Sequence, residues 1–191
     1  MASPFSGMWV GVFSKIVAVL AIAGAVACTP GSKPSAVAEG KPFPDVPLLG
    51  VDGRDAVSSG YRGRVLILNV WATWCPPCRR EMPSLERLSR ALDASRFAVV
   101  GLSVDDDLNL LREFMGEHGI GFAMYSDPGR RVSEGKLGVR AYPMTFVVGP
   151  DGVLLRRIIG EREWDSPAMM SWITEIHRSP PSRAAITAGY W

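Results

Sequence analysis

Cys75-Pro76-Pro77-Cys78 are the residues of this 191-residue chain best suited to chemistry. A two-residue spacer brings two thiols within bridging distance, so the pair can open and close one disulfide. The motif follows an apolar strand-like run and opens a helix-like one. Unpaired backbone N–H groups and the positive end of the helix dipole stabilise a thiolate at such a junction, and only the thiolate attacks a disulfide. Cys75 is therefore expected to be the exposed nucleophile, its pKa drawn down from the usual ~8.5. Cys78, one turn further in, is expected to be the resolving thiol and to close the Cys75–Cys78 disulfide. Pro76 and Pro77 remove two donors and stiffen the loop, which tunes the reduction potential.

The same spacing also fits half of a zinc site. A structural zinc needs four ligands, yet the remaining candidates are Cys28, His118 and His177, which lack ligand spacing. No metal site is assigned. Two thiolates suit Cu(I), so a copper-handling module stays as an alternative.

The elements that must hold the motif are legible from periodicity. Val65 to Trp71 (VLILNVW) and Phe97 to Val104 (FAVVGLSV) are unbroken apolar runs, as in strands buried on both faces. Between them Met82, Leu85, Leu88 and Leu92 recur at three- and four-residue spacing, an amphipathic helix that Pro83 should bend. Strand, helix, strand requires a right-handed crossover into a parallel sheet. A helix over 108–117, a short strand over 122–125 and a helix over 130–137 follow. Thr145–Val148 and Val153–Ile159 flank Gly149-Pro150-Asp151-Gly152 as an antiparallel hairpin, and 165–177 is a last helix. An N-terminal hairpin turning at Asp52-Gly53 precedes all of these.

Composition, 47% hydrophobic and 21% charged, supports one full core. A net charge of +2 with no basic run interleaved with aromatics argues against nucleic acid. Residues 1–27 are read as a signal peptide, with Ile16 to Ala27 as its apolar region and Ala25-Val26-Ala27 as the small residues before a cut. The segment resembles a bacterial lipoprotein signal, which would make Cys28 the lipidated N-terminus. Plain secretion and an uncleaved anchor over about Met8 to Ala27 are the alternatives, the last requiring Lys15 within the hydrocarbon. All three place the domain outside the cytoplasm, on the periplasmic side of a bacterial membrane. Residues 28–42 read as a flexible tether, 43–178 as the domain and 179–191 as a loose tail.

With Trp71-Ala72-Thr73-Trp74-Cys75-Pro76-Pro77-Cys78 at the first strand-to-helix junction and Tyr142-Pro143-Met144-Thr145 opening a later strand, the chain resembles the thioredoxin superfamily. It is most similar to the exported TlpA/ResA/CcmG-like thiol-disulfide oxidoreductases, over roughly Phe43 to His177. The resemblance implies an α/β thioredoxin-like fold, a central mixed β-sheet flanked by helices, with the N-terminal β-hairpin and a helix-strand insertion. It also implies a cis Tyr142–Pro143 bond beside the disulfide, where backbone is offered to an extended partner; a trans proline opening a strand is the alternative.

Many thioredoxins carry a buried acid at the position of Asn69, which cannot titrate. Glu81, one turn beyond Cys78, is the candidate proton acceptor, against the alternative of a solvated helix acid. Arg79 and Arg80 either favour the thiolate or are solvated charge. Trp71 packs against the motif, and Trp74, Pro76, Pro77, Tyr142 and Pro143 are read as partner-binding, with Gly138 to Ala141 lining the same groove.

The expected function is thiol-disulfide exchange, as a monomeric reductant of exported proteins such as those awaiting haem or a metal. It needs no cofactor, and a membrane electron donor would re-reduce it. A peroxiredoxin-like peroxidase is the competing enzyme, because Leu102-Ser103-Val104-Asp105 resembles a strand end of that branch. The Pro-x-x-x-Thr-x-x-Cys pattern is absent, however.

Overall fold

The computed structural model describes residues 37–179 and residue 181. The signal segment, Cys28 and nearly all of the tail lie outside the described residues.

β3 (Val65–Trp71) is buried at all seven positions, as is β4 (Phe97–Ser103), which pairs parallel to it from Val65–Phe97 to Trp71–Ser103. Burial on both faces explains why neither strand alternates in polarity. β6 (Met144–Val148) lies antiparallel on the other edge of β3, and β7 (Leu154–Ile159) antiparallel on β6. Beyond β4 come β5 (Ala123–Ser126), parallel, and then β1 (Pro47–Gly50) and β2 (Ala56–Val57) as an antiparallel pair. The sheet order is β2-β1-β5-β4-β3-β6-β7. The mixed sheet, the N-terminal hairpin and the inserted α2 (Leu108–His118) with β5 are as expected.

α1 (Pro76–Ala91) connects β3 to β4 and buries Cys78, Met82, Leu85 and Leu88 against the sheet. The helix runs unbroken through Pro83. Gly101 of β4 makes room for the packing beneath it. A Cβ there would stand 2.5 Å from the Met124 sulfur, which accepts the indole N–H of Trp71 at 3.2 Å. α3 (Pro167–Arg178) is capped by the Ser166 hydroxyl, which accepts from the Met169 N–H.

Two sequence expectations change. The helix over 130–137 is instead a 3-10 turn, Pro128–Arg130, followed by a π-helical turn, Arg131–Lys136. Gly129 and Arg130 adopt φ of 71° and 58°, which no α-helix accommodates, and the Asp127 carboxylate takes the N–H groups of Val132 and Ser133. The tether also ends earlier than residue 42. Val37 is buried, Gly40 N–H donates to Leu154 O, and Leu154 N–H donates to Lys41 O. Glu39 accepts from Arg157 N–H and pairs with Arg156 at 3.0 Å. These residues carry no periodicity because they add to the edge of β7 through backbone bonds, which any side chain permits.

Deleting residues 37–42 should therefore destabilise the domain by about 2 kcal/mol, from one buried valine and a few backbone hydrogen bonds. Urea midpoints of chains beginning at 37 and at 43 check this, and equal midpoints would show the segment to be idle.

Candidate active site

Cys75 is the N-cap of α1 and Pro76 its first residue, so the fixed φ of the proline fits the helix start and its missing N–H leaves nothing unpaired. Cys75 and Cys78 are joined as a disulfide, with Cα atoms 5.3 Å apart, and the Cys78 N–H donates to Cys75 Sγ at 3.3 Å. Cys78 is wholly buried. Cys75, expected to be exposed, retains 4% of its surface, because in the disulfide its sulfur is turned back into the first helical turn. The asymmetry still puts Cys75 on the outer side.

Below the helix lies a buried polar cluster. Glu81, 2% exposed, is no solvated helix acid. Its Oε1 accepts from Asn69 Nδ2 at 2.7 Å, while Oε2 accepts from Trp164 Nε1 at 3.0 Å and from the Arg162 N–H at 3.1 Å. Asn69 also donates to Thr145 Oγ1 at 2.9 Å, which ties the centre of β3 to β6 directly beneath the motif. Burial raises the Glu81 pKa, the nearby Glu161 charge adds to this, and the three donors oppose it. A carboxyl held this way exchanges a proton nearer to neutrality than a solvated one, and it lies one turn from Cys78.

The loop into Cys75 is fixed from β4. Asp105, buried, accepts from the Thr73 N–H, from Thr73 Oγ1 at 2.8 Å and from Ser103 Oγ at 2.6 Å. Trp74 is 55% exposed and meets Tyr142 edge-on, ring centroids 5.7 Å apart. The Tyr142–Pro143 bond is cis, and the Gly160 N–H donates to Pro143 O. The two arginines after the motif are engaged elsewhere. Arg79 lies over the Phe114 ring at 5.7 Å, and Arg80 pairs with Glu161. In the 138–141 segment Val139 is buried while Arg140 and Ala141 are exposed.

The AhpC/TSA family profile matches residues 40–157. The chain belongs to the AhpC/TSA family. ResA, a thiol-disulfide oxidoreductase of Geobacillus thermodenitrificans (strain NG80-2), is 31% identical over 126 residues, 66% of this chain and 72% of that protein. ResA of Bacillus thuringiensis (strain Al Hakam) is 28% identical over 123 residues, 64% of this chain and 70% of that protein. A thiol:disulfide interchange protein of the thioredoxin family from Chlorobium tepidum TLS matches with a TM-score of 0.62 at 28% identity, covering 73% of this chain and 97% of the other. The fold is thioredoxin-like, and thiol–disulfide exchange is the chemistry of this family member's Cys75–Cys78 pair.

Sequence reasoning missed Trp164, Thr145 and Asp105 as parts of the site. Trp164 stands 83 residues from Glu81 in a charged loop, and nothing local marks it as a buried donor. Asp105 carried a signal, an acid closing an apolar strand, which points to a buried carboxylate needing donors.

The raised Glu81 pKa fixes a pH dependence. Above the solution value near 4.5 the unfolded chain gives up this proton before the folded one does, so the folded state binds more protons and stability falls as pH rises toward the folded pKa. Glu81→Gln should remove that decline. Urea midpoints of both proteins from about pH 4.5 upward check it, with their difference shifting in favour of the variant as pH increases.

Proposed function

We propose that this chain is a reductant of disulfides in exported proteins, held at the outer face of a bacterial membrane. The Cys75–Cys78 disulfide at the start of α1 is the observation that carries the exchange chemistry of this reading, and it describes the oxidised half of the cycle. In the reduced protein the Cys75 thiolate attacks one sulfur of a partner disulfide. That bond breaks, a Cys75–partner disulfide forms and the first partner thiolate leaves. Cys78, losing its proton, then attacks Cys75 Sγ, closes the intramolecular disulfide and expels the second thiolate. Two electrons pass to the partner, and a membrane-bound dithiol donor returns them to the protein.

Glu81 is the proposed acceptor of the Cys78 proton. Its burial and its place one turn from Cys78 support that role. Trp74, Pro76, Pro77, Tyr142 and Pro143 form the proposed rim on which the partner is laid. The signal segment over 1–27 supports export, and the small residues before Cys28 support lipidation there as the tether. A monomer suffices, because both thiols and the proton acceptor come from one chain. Proteins awaiting haem attachment or a metal are the proposed substrates, since their cysteines must be reduced before ligation.

A disulfide between residues 75 and 78 favours exchange over the peroxidase reading, in which the reactive cysteine acts without a neighbour three residues on. Cys78→Ser should accumulate mixed disulfides through Cys75, visible as mass adducts that dithiothreitol removes. A variant that instead reduces peroxide rapidly would establish the peroxidase.

Glu81→Gln should slow exchange by about 10²-fold, in the range of a lost general base, and alter its pH profile. An unchanged rate and unchanged thiol pKa values would remove Glu81 from the mechanism.

A further inference from the structure

Among the described residues Arg130 is the only non-glycine residue with positive φ, 58°. A left-handed conformation is unfavourable for an L-residue with a Cβ, and such residues persist where surrounding bonds enforce them, commonly at functional sites. The enforcing bonds are here. Arg130 N–H donates to Asp127 O, Gly129 N–H to Asp106 Oδ1, and the Asp127 carboxylate caps the π-helical turn that follows. A π-turn is itself rare and is frequent at functional sites.

Both irregularities aim one side chain at the dithiol rim. The Arg130 guanidinium stands 5.8 Å over the ring of Trp74, the residue before Cys75. Trp74 meets Tyr142, and the Tyr142 hydroxyl donates to Glu134 Oε1 at 3.1 Å. Glu134 faces Arg130 at 3.8 Å, beyond hydrogen-bond reach, and among the described residues the guanidinium donors find no hydrogen-bond acceptor, while 40% of the side chain is exposed. Arg140 is oriented to the same turn by weak contacts to the carbonyls of Glu134 and Val139, at 3.4 Å each. Arg130 is thus held at the aromatic rim with its donors unspent, while the carboxylates of this turn are engaged: Glu134 by the Tyr142 hydroxyl, Asp127 by the Val132 and Ser133 N–H groups, and Asp106 by the Gly129 N–H.

We propose that Arg130 is a specificity residue of the exchange reaction, a fork that receives the carboxylate of an aspartate or glutamate beside the cysteine of the partner segment. The proposal rests on the exchange function above. An incoming carboxylate would find a planar donor group already held over Trp74, and bidentate pairing of this kind is what arginine supplies and lysine does not. The partner is therefore an extended, disulfide-bonded segment carrying an acidic residue next to its reactive sulfur.

Three synthetic disulfide peptides differing only in Glu, Gln or Lys beside the cysteine, offered to the reduced full-length protein at low ionic strength, test this. The wild type should reduce the Glu peptide about fivefold faster than the Gln peptide, and the Lys peptide slowest, with the spread shrinking as salt is added. Arg130→Gly should abolish that order, and because glycine suits φ of 58° its thermal midpoint should be no lower than the wild type's. Equal rates for the three peptides with the wild type, or an order that survives in a folded Arg130→Gly, would overturn the proposal. Neutral hydroxyethyl disulfide separates the two failures: a wild type that reduces it yet shows no peptide order loses only the Arg130 role, whereas one that leaves it unreduced loses the exchange function.

Discussion

The site depends on β3 being hydrogen-bonded along both edges and covered on both faces. With β4 parallel on one side and β6 antiparallel on the other, both ladders fix the register, and a one-residue slip would carry Asn69 away from Glu81 and Thr145. Its end, Trp71, is therefore a fixed point from which the loop to Cys75 is launched. Asp105 at the end of β4 fixes the loop a second time through Thr73. A helix capped by Cys75, with Pro76 suited to its first position, completes the placement.

The same strand carries the polar floor. Asn69 lies mid-strand, fully buried, and binds both Glu81 above and Thr145 beside it. The buried carboxylate here comes from the helix, and the strand contributes a neutral donor to it. Donors from β3 and from the loop after β7 then converge on one carboxylate, so that its ionisation is coupled to how helix, strand and loop pack. Arg162 contributes by its backbone N–H, which means that any side chain at that position would serve.

What could be read from sequence was whatever is decided locally. The dithiol spacing, the two buried runs and the amphipathic α1 each declare themselves within a few residues, whereas the cis Tyr142–Pro143 bond is implied only by the resemblance. Glu81 was visible by position yet undecidable by environment, because its burial is produced by Trp164 in a remote segment. Residues 130–137 have the periodicity of an ordinary helix, and the caps that break it come from Asp127 through tertiary placement. Residues 37–42 looked like linker because backbone pairing leaves no trace in composition.

Those six residues bear on how the sheet ends. Both edges of a sheet offer unpaired N–H and C=O groups to any strand that drifts by, a standing invitation to edge-to-edge association. At one edge β2 is only two residues long, too short to template another chain. At the other, Leu154 has its N–H and C=O taken by Lys41 and Gly40, and the Arg157 N–H is taken by the Glu39 carboxylate. A protein that exchanges disulfides with other proteins thus has its sheet margins blunted on either side.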